Sequence, residues 1–117
     1  MTIIIARPDP VALRTALGIA LSAAALGGRA RLFVDTAAVP LLRVPVIDPA
    51  DDAQVDAGLP TLAGLLDEAD QAGVAILACQ AGLALAGLAL PDLVTGTEAA
   101  GMVSLLQTLA DDRLLTL

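Results

Sequence analysis

Leu65–Leu88, LLDEADQAGVAILACQAGLALAGL, decides how this chain folds. In its first part Leu65, Leu66 and Ala69, with Leu62 just upstream, share one side of a helix that begins near Pro60. Asp67, Glu68, Asp70 and Gln71 share the other side, and Gly73 stops it. Val74–Ala78 (VAILA) is then a continuous apolar run of strand length, and Gln80–Leu88 returns to helical spacing. An unalternating apolar strand between two helices is what a parallel strand covered on both faces looks like. The same stretch carries a competing reading. Gln71–Pro91 has no charge and is long enough to span a bilayer. Its flanks are Asp70 and Asp92 rather than Arg or Lys, it lacks interfacial Trp and Tyr, and Gln80 and three glycines dilute it, so a buried strand and helix are expected instead.

The pattern repeats outward. Thr2–Ala6 (TIIIA) is a β-branched run ended by Arg7-Pro8-Asp9-Pro10, and Val11–Leu26 is a helix stopped by Gly27-Gly28. Arg14, Gly18 and Ser22 form a narrow polar stripe on that otherwise apolar cylinder. Arg31–Asp35 (RLFVD) is a second buried strand, followed by a short helical or turn segment over Thr36–Leu42. Arg43–Gly58, with Pro45, Pro49 and four aspartates, reads as an irregular loop, either solvated or folded over a site as a lid. Beyond the central stretch, Leu93–Thr95 is expected as a fourth strand. Thr97 is expected to cap a last helix with Met102, Val103, Leu106, Leu109 and Ala110 on its apolar face, and Arg113–Leu117 to form a fifth strand. Strands alternating with helices imply right-handed crossovers, so the expected fold is α/β: one domain over residues 1–117, a three-layer α/β/α sandwich with a five-stranded, mostly parallel sheet.

Composition narrows the function. The chain is 57% hydrophobic and 1% aromatic, so Ala, Leu, Val and Ile carry the core. A small domain leaves much of its surface in water, so a chain this apolar is expected to self-associate. Six arginines, no lysine and a net charge of −7 argue against a nucleic-acid partner. A single cysteine rules out an internal disulfide, and with no histidine thiol–imidazole catalysis and zinc sites fall away; no cofactor is expected. Gly27-Gly28 follows a helix rather than a strand and is no phosphate loop, and Asp51-Asp52 and Asp111-Asp112 read as solvated turns. The start MTIIIARPDP does not read as a secretory signal, which makes the cytoplasm the expected location.

In an open parallel sheet ligands bind beyond the carboxyl ends of the strands. Arg7, Asp9, Asp35, Thr36, Cys79, Gln80, Thr95, Thr97 and Glu98 all fall there on this reading, and Arg7, Thr36, Gln80 and Thr97 are candidate substrate-binding residues. Cys79 lies between a strand and a helix, where backbone N–H groups favour a thiolate; Arg7 is the best candidate cation beside it. A lone cysteine in an apolar chain is equally a small buried hydrophobe. Gly82 and Gly87 suit close packing of the Gln80–Leu88 helix against a partner subunit.

Several stretches together resemble the DsrE/DsrF/DsrH-like family of sulfur-relay subunits and relatives. They are the apolar first strand, ALSAAALGG at the end of the first helix, RLFVDTAAVPLL, the central stretch with its cysteine eight positions before Gly87, and GTEAAGMVSLLQTL near the end. The resemblance covers nearly the whole chain. It implies a persulfide-carrying role for Cys79, assembly into trimers or hexamers, and sulfur donor and acceptor proteins as partners. Two functions are therefore expected: an oligomeric protein that accepts and donates persulfide sulfur at Cys79, or a non-catalytic oligomeric module that binds a ligand or protein with Cys79 structural. Membrane association through the uncharged run is a third.

Overall fold

The computed structural model describes residues 1–117. Five strands, β1 (Thr2–Ile5), β2 (Arg31–Val34), β3 (Ala75–Cys79), β4 (Glu98–Ala100) and β5 (Leu114–Thr116), form one sheet in the order β4-β3-β2-β1-β5. All four pairings are parallel. The helices are α1 (Pro10–Ala25), α2 (Asp51–Asp56), α3 (Leu62–Gln71), α4 (Gln80–Ala86) and α5 (Met102–Gln107), with 3-10 segments at Thr36–Leu42 and Leu90–Asp92.

The chain steps from β1 to β4 in one direction and then returns across the sheet to β5. Right-handed crossovers therefore put α1 and α3, which pack on each other, on one face and α5 on the opposite face. The expected three-layer α/β/α arrangement is thus observed. Local sequence explains the helix boundaries. Asp9 caps α1 by accepting a hydrogen bond from the Val11 N–H at 2.9 Å, and Thr61 caps α3 through the Gly64 N–H at 3.0 Å. Ile3, Ile5, Leu13, Leu17, Leu32, Phe33, Leu66 and Ile76 are buried in the apolar core, each side chain gaining on the order of 1.5–3 kcal/mol by leaving water.

The uncharged run Gln71–Pro91 is divided among the end of α3, β3 and α4, and no helix is long and apolar enough to cross a membrane. Four expectations need correction. Arg43–Gly58 contains α2, because Asp51 and Asp52 in its first turn suit the positive end of a helix. The fourth strand is Glu98–Ala100 and not Leu93–Thr95: Leu93 forms an antiparallel bridge with Arg43, the Val94 N–H donates to the Leu42 carbonyl, and a turn at Gly96 (φ +88) separates this piece from the sheet. Thr97 accordingly precedes a strand, and Gly101 is the N-cap of the last helix. On α5 only Leu105 is buried; Met102, Val103 and Leu106 face outward, since the sheet beneath this short helix accommodates a single contact ridge.

Candidate functional site

Cys79 is the last residue of β3, paired with Ala100 of β4, and at the same time the N-cap of α4. The strand thus runs one residue further than the sequence suggests. Its side chain belongs to the apolar core and the residue is 7% exposed. The sulfur accepts no capping hydrogen bond from α4, so the thiol sits at the strand–helix junction but under cover.

The helix that follows it, α4, packs in an unusually tight seam on the Thr36–Leu42 segment. A β-carbon at Gly82 would stand 2.6 Å from the Thr36 carbonyl oxygen and 2.5 Å from Val39 Cγ2, distances that no real side chain adopts. Gly82 therefore serves packing within the chain and not, as the sequence suggested, against a partner subunit. Gly87 ends α4 in the left-handed conformation at φ +65, also an internal duty. Thr36 itself has φ +27, sparsely populated by β-branched residues, and such strain persists only where surrounding packing enforces it. The outer side of the seam is a shallow apolar cleft of about 320 Å³ between Thr36, Ala37 and Pro40 on one side and Gly82, Leu85 and Ala86 on the other.

The other candidate residues divide. Gln80 is exposed next to Cys79, with its side-chain oxygen 3.7 Å from where Gly101 would carry a β-carbon, so it lies toward the end of β4. Asp35 follows β2, the strand beside β3, and its N–H donates to the Ile5 carbonyl. Arg7 follows β1, two strands from β3 and hence on the order of 10 Å away. It is exposed and not placed beside Cys79. Asp9 is spent on the α1 cap. Thr97 is level with β3's interior, before β4, and its hydroxyl donates to the Val94 carbonyl at 2.8 Å; Thr95 precedes it. Neither is at the carboxyl edge, because β4 begins later than expected. The structure thus sets Gln80 next to Cys79 and Thr36 against Gly82 of the same helix, and leaves Arg7 and Thr97 apart from them. No group of three or more His, Cys, Asp or Glu side chains is arranged to hold a metal.

Two ion-pair networks lie in aspartates that the sequence suggests are solvated. Arg14 donates to Asp48 and Asp51 at 2.6 Å each and to the Pro60 carbonyl at 3.2 Å. Asp51 in turn accepts from the Leu62 N–H at 2.9 Å. Burial opposes ionisation of Asp48, but the Ala50 N–H and the Arg14 guanidinium outweigh it and hold the carboxyl below its usual range. At the opposite edge of the sheet Asp112 accepts from Thr2 Oγ1 at 2.6 Å and from Arg29 at 2.8 Å, and pairs with the Met1 ammonium at 3.2 Å. Arg31, also buried there, donates to Thr2 Oγ1, Thr108 Oγ1 and the Leu105 carbonyl and thereby ties α5 to the sheet. Burial would raise the Asp112 carboxyl, yet these donors and the nearby ammonium hold it far below the usual carboxylate range. In the sequence Arg14 shows only as part of a polar stripe on the first helix and Arg31 only as the start of an apolar strand, so neither network is marked there.

The chain is a small α/β protein with an all-parallel sheet of order 4-3-2-1-5, its only thiol lying where the third strand hands over to a short helix. The chain belongs to the DsrE/DsrF-like family, whose model matches residues 1–117. Its fold is similar to that of the ychN protein from E. coli (20% identity, TM-score 0.70, covering 99% of this chain and 97% of that one). It is also similar to MTH1491, a protein of unknown function from Methanobacterium thermoautotrophicum (16% identity, TM-score 0.76, covering 99% and 96%). No curated protein is similar enough in sequence to register as a relative.

Proposed function

We propose that this chain is an oligomeric sulfur-handling protein of intracellular sulfur metabolism, in which Cys79 accepts a persulfide sulfur from one partner protein and donates it to another. The observation that carries the reading is the position of the only thiol, at the carboxyl end of a central strand in a family associated with sulfur relay. In the step itself the Cys79 thiolate attacks the outer sulfur of a donor persulfide. A new S–S bond forms on Cys79, the donor's S–S bond breaks, and the donor leaves as its thiolate. No net oxidant is needed. Because Cys79 is 7% exposed, transfer requires a local opening of the chain around the strand–helix junction.

Self-association is supported by what α5 leaves uncovered. Ala75 and Leu77 on its face of β3 and Ala100 beside them on β4 are only half-buried, and Val103 is 72% exposed beside Met102 and Leu106. An apolar strip over sheet and helix suits a second copy of the chain. A trimer or hexamer is the assembly expected of this family, and neither a nucleic acid nor a membrane is a partner on this reading.

The burial of Cys79 favours one other reading, a non-catalytic oligomeric module in which the thiol is core packing. Mass spectrometry after incubation with a low-molecular-weight persulfide donor separates the two. One added sulfur on the native protein, absent from Cys79→Ser, supports sulfur handling; identical masses leave the binding module.

A further inference from the structure

A second cleft lies apart from Cys79. It has a volume of about 420 Å³ and is walled by Pro8 after β1, Leu41 of the 3-10 segment, Arg43, Val44 and Ile47 of the following loop, and Leu62 at the start of α3. Its size falls within the range of small-molecule pockets, and its walls are aliphatic. Arg43 is the only charged residue lining it. The Arg43 side chain is exposed and takes part in none of the chain's ion pairs. Asp48 and Asp51 of the same loop do not neutralise it, because Arg14 engages both.

The walls are also held in place. Asp48 immediately follows Ile47, and Asp51 accepts from the backbone of Leu62, so one arginine on α1 fixes both the loop and the start of α3. Ile47 is nonetheless 78% exposed and Val44 47%, with no protein group covering them. Fixed apolar walls around one unpaired guanidinium form a site that lacks only its counterpart.

We infer that this cleft binds a small monocarboxylate with an aliphatic body, the carboxylate on Arg43 and the hydrocarbon against Leu41, Val44, Ile47 and Leu62. A guanidinium presents a planar fork that matches a single carboxylate, whereas a phosphate dianion is ordinarily met by more than one cation. The protein's net charge of −7 likewise disfavours multiply charged ligands. This site depends on Arg43 and the Arg14 clasp and not on Cys79.

An amide NMR titration with octanoate, at millimolar concentration, tests it, with 1-octanol as the uncharged probe of similar shape. The expected result is saturable shifts at Arg43, Val44, Ile47 and Leu62 with octanoate, weaker binding of octanol, and an affinity for octanoate lower by about tenfold or more in Arg43→Gln. Arg113→Gln, which removes an exposed arginine elsewhere, leaves the affinity unchanged. Absence of shifts, shifts confined to another surface, equal binding of the two probes, or unchanged affinity in Arg43→Gln each overturns the assignment.

Discussion

Gly82 lies so close to Thr36 that its missing β-carbon would stand 2.6 Å from the Thr36 carbonyl oxygen. Gly82→Ala is therefore expected to lose about 1–3 kcal/mol, the range for forcing an extra carbon into a packed interior. Gly18 in α1 provides the contrast: nothing lies within 4 Å of its hypothetical β-carbon. Gly18→Ala should gain about 0.5–1 kcal/mol from helix propensity. Urea denaturation of the two variants checks both signs, and equal midpoints would show that the α4 seam yields without cost.

Asp112 couples stability to pH. Its carboxyl titrates lower in the folded chain than in the unfolded one, so its contribution is complete above the unfolded value of about 4 and is lost as pH falls through the lower folded value. Asp112→Asn should be destabilised by roughly 3 kcal/mol at neutral pH, since it leaves Arg29 and Arg31 without their shared anion. The gap from wild type should narrow on acidification below about pH 4. Urea midpoints from neutral to strongly acidic pH measure it; a gap that stays constant would assign the loss to packing.

Arg14→Met removes the cation between Asp48 and Asp51 and leaves both carboxylates without it. A loss of about 3 kcal/mol is expected, with most of it absent when Arg14→Met is made in an Asp48→Asn, Asp51→Asn background. Hydrogen exchange should quicken over residues 43–60 while β1–β3 remain protected. Additive losses in the combined variant would mean that the three groups do not act together.

Val103 tests self-association. Exposed at 72% on α5, it lies outside the single-chain core, so Val103→Glu should leave the monomer's unfolding midpoint within about 0.5 kcal/mol of wild type. The same change places a charge in the proposed apolar contact and should reduce the sedimenting mass to that of one chain. An unchanged assembly would locate the interface elsewhere.

Cys79 should be shielded in the native state. A bulky aromatic disulfide is expected to react at least about tenfold more slowly with native than with urea-unfolded protein, because at 7% exposure the thiol reacts only through opening. Equal rates would place the sulfur at a permanent opening.

What the residues alone determined is the layered architecture. Apolar runs at TIIIA, RLFVD and VAILA, each followed by a helix-forming segment, admit little other than parallel strands joined by crossovers, because only burial on both faces makes unalternating strands favourable. The cysteine's place beside a strand end followed from the same local pattern. What only the tertiary structure decided were features that depend on contacts distant in sequence. The fourth strand moved to Glu98–Ala100 once Leu93 and Val94 found partners at Arg43 and Leu42, and this removed Thr97 from the site. Asp48, Asp51 and Asp112 became internal anchors because arginines on α1, β2 and the turn before β2 reach them. How closely α4 seats on the Thr36–Leu42 segment was settled by Gly82 pressing on Thr36, a contact between residues far apart along the chain that no local periodicity encodes, since it exists only after both segments have been brought to the same end of the sheet.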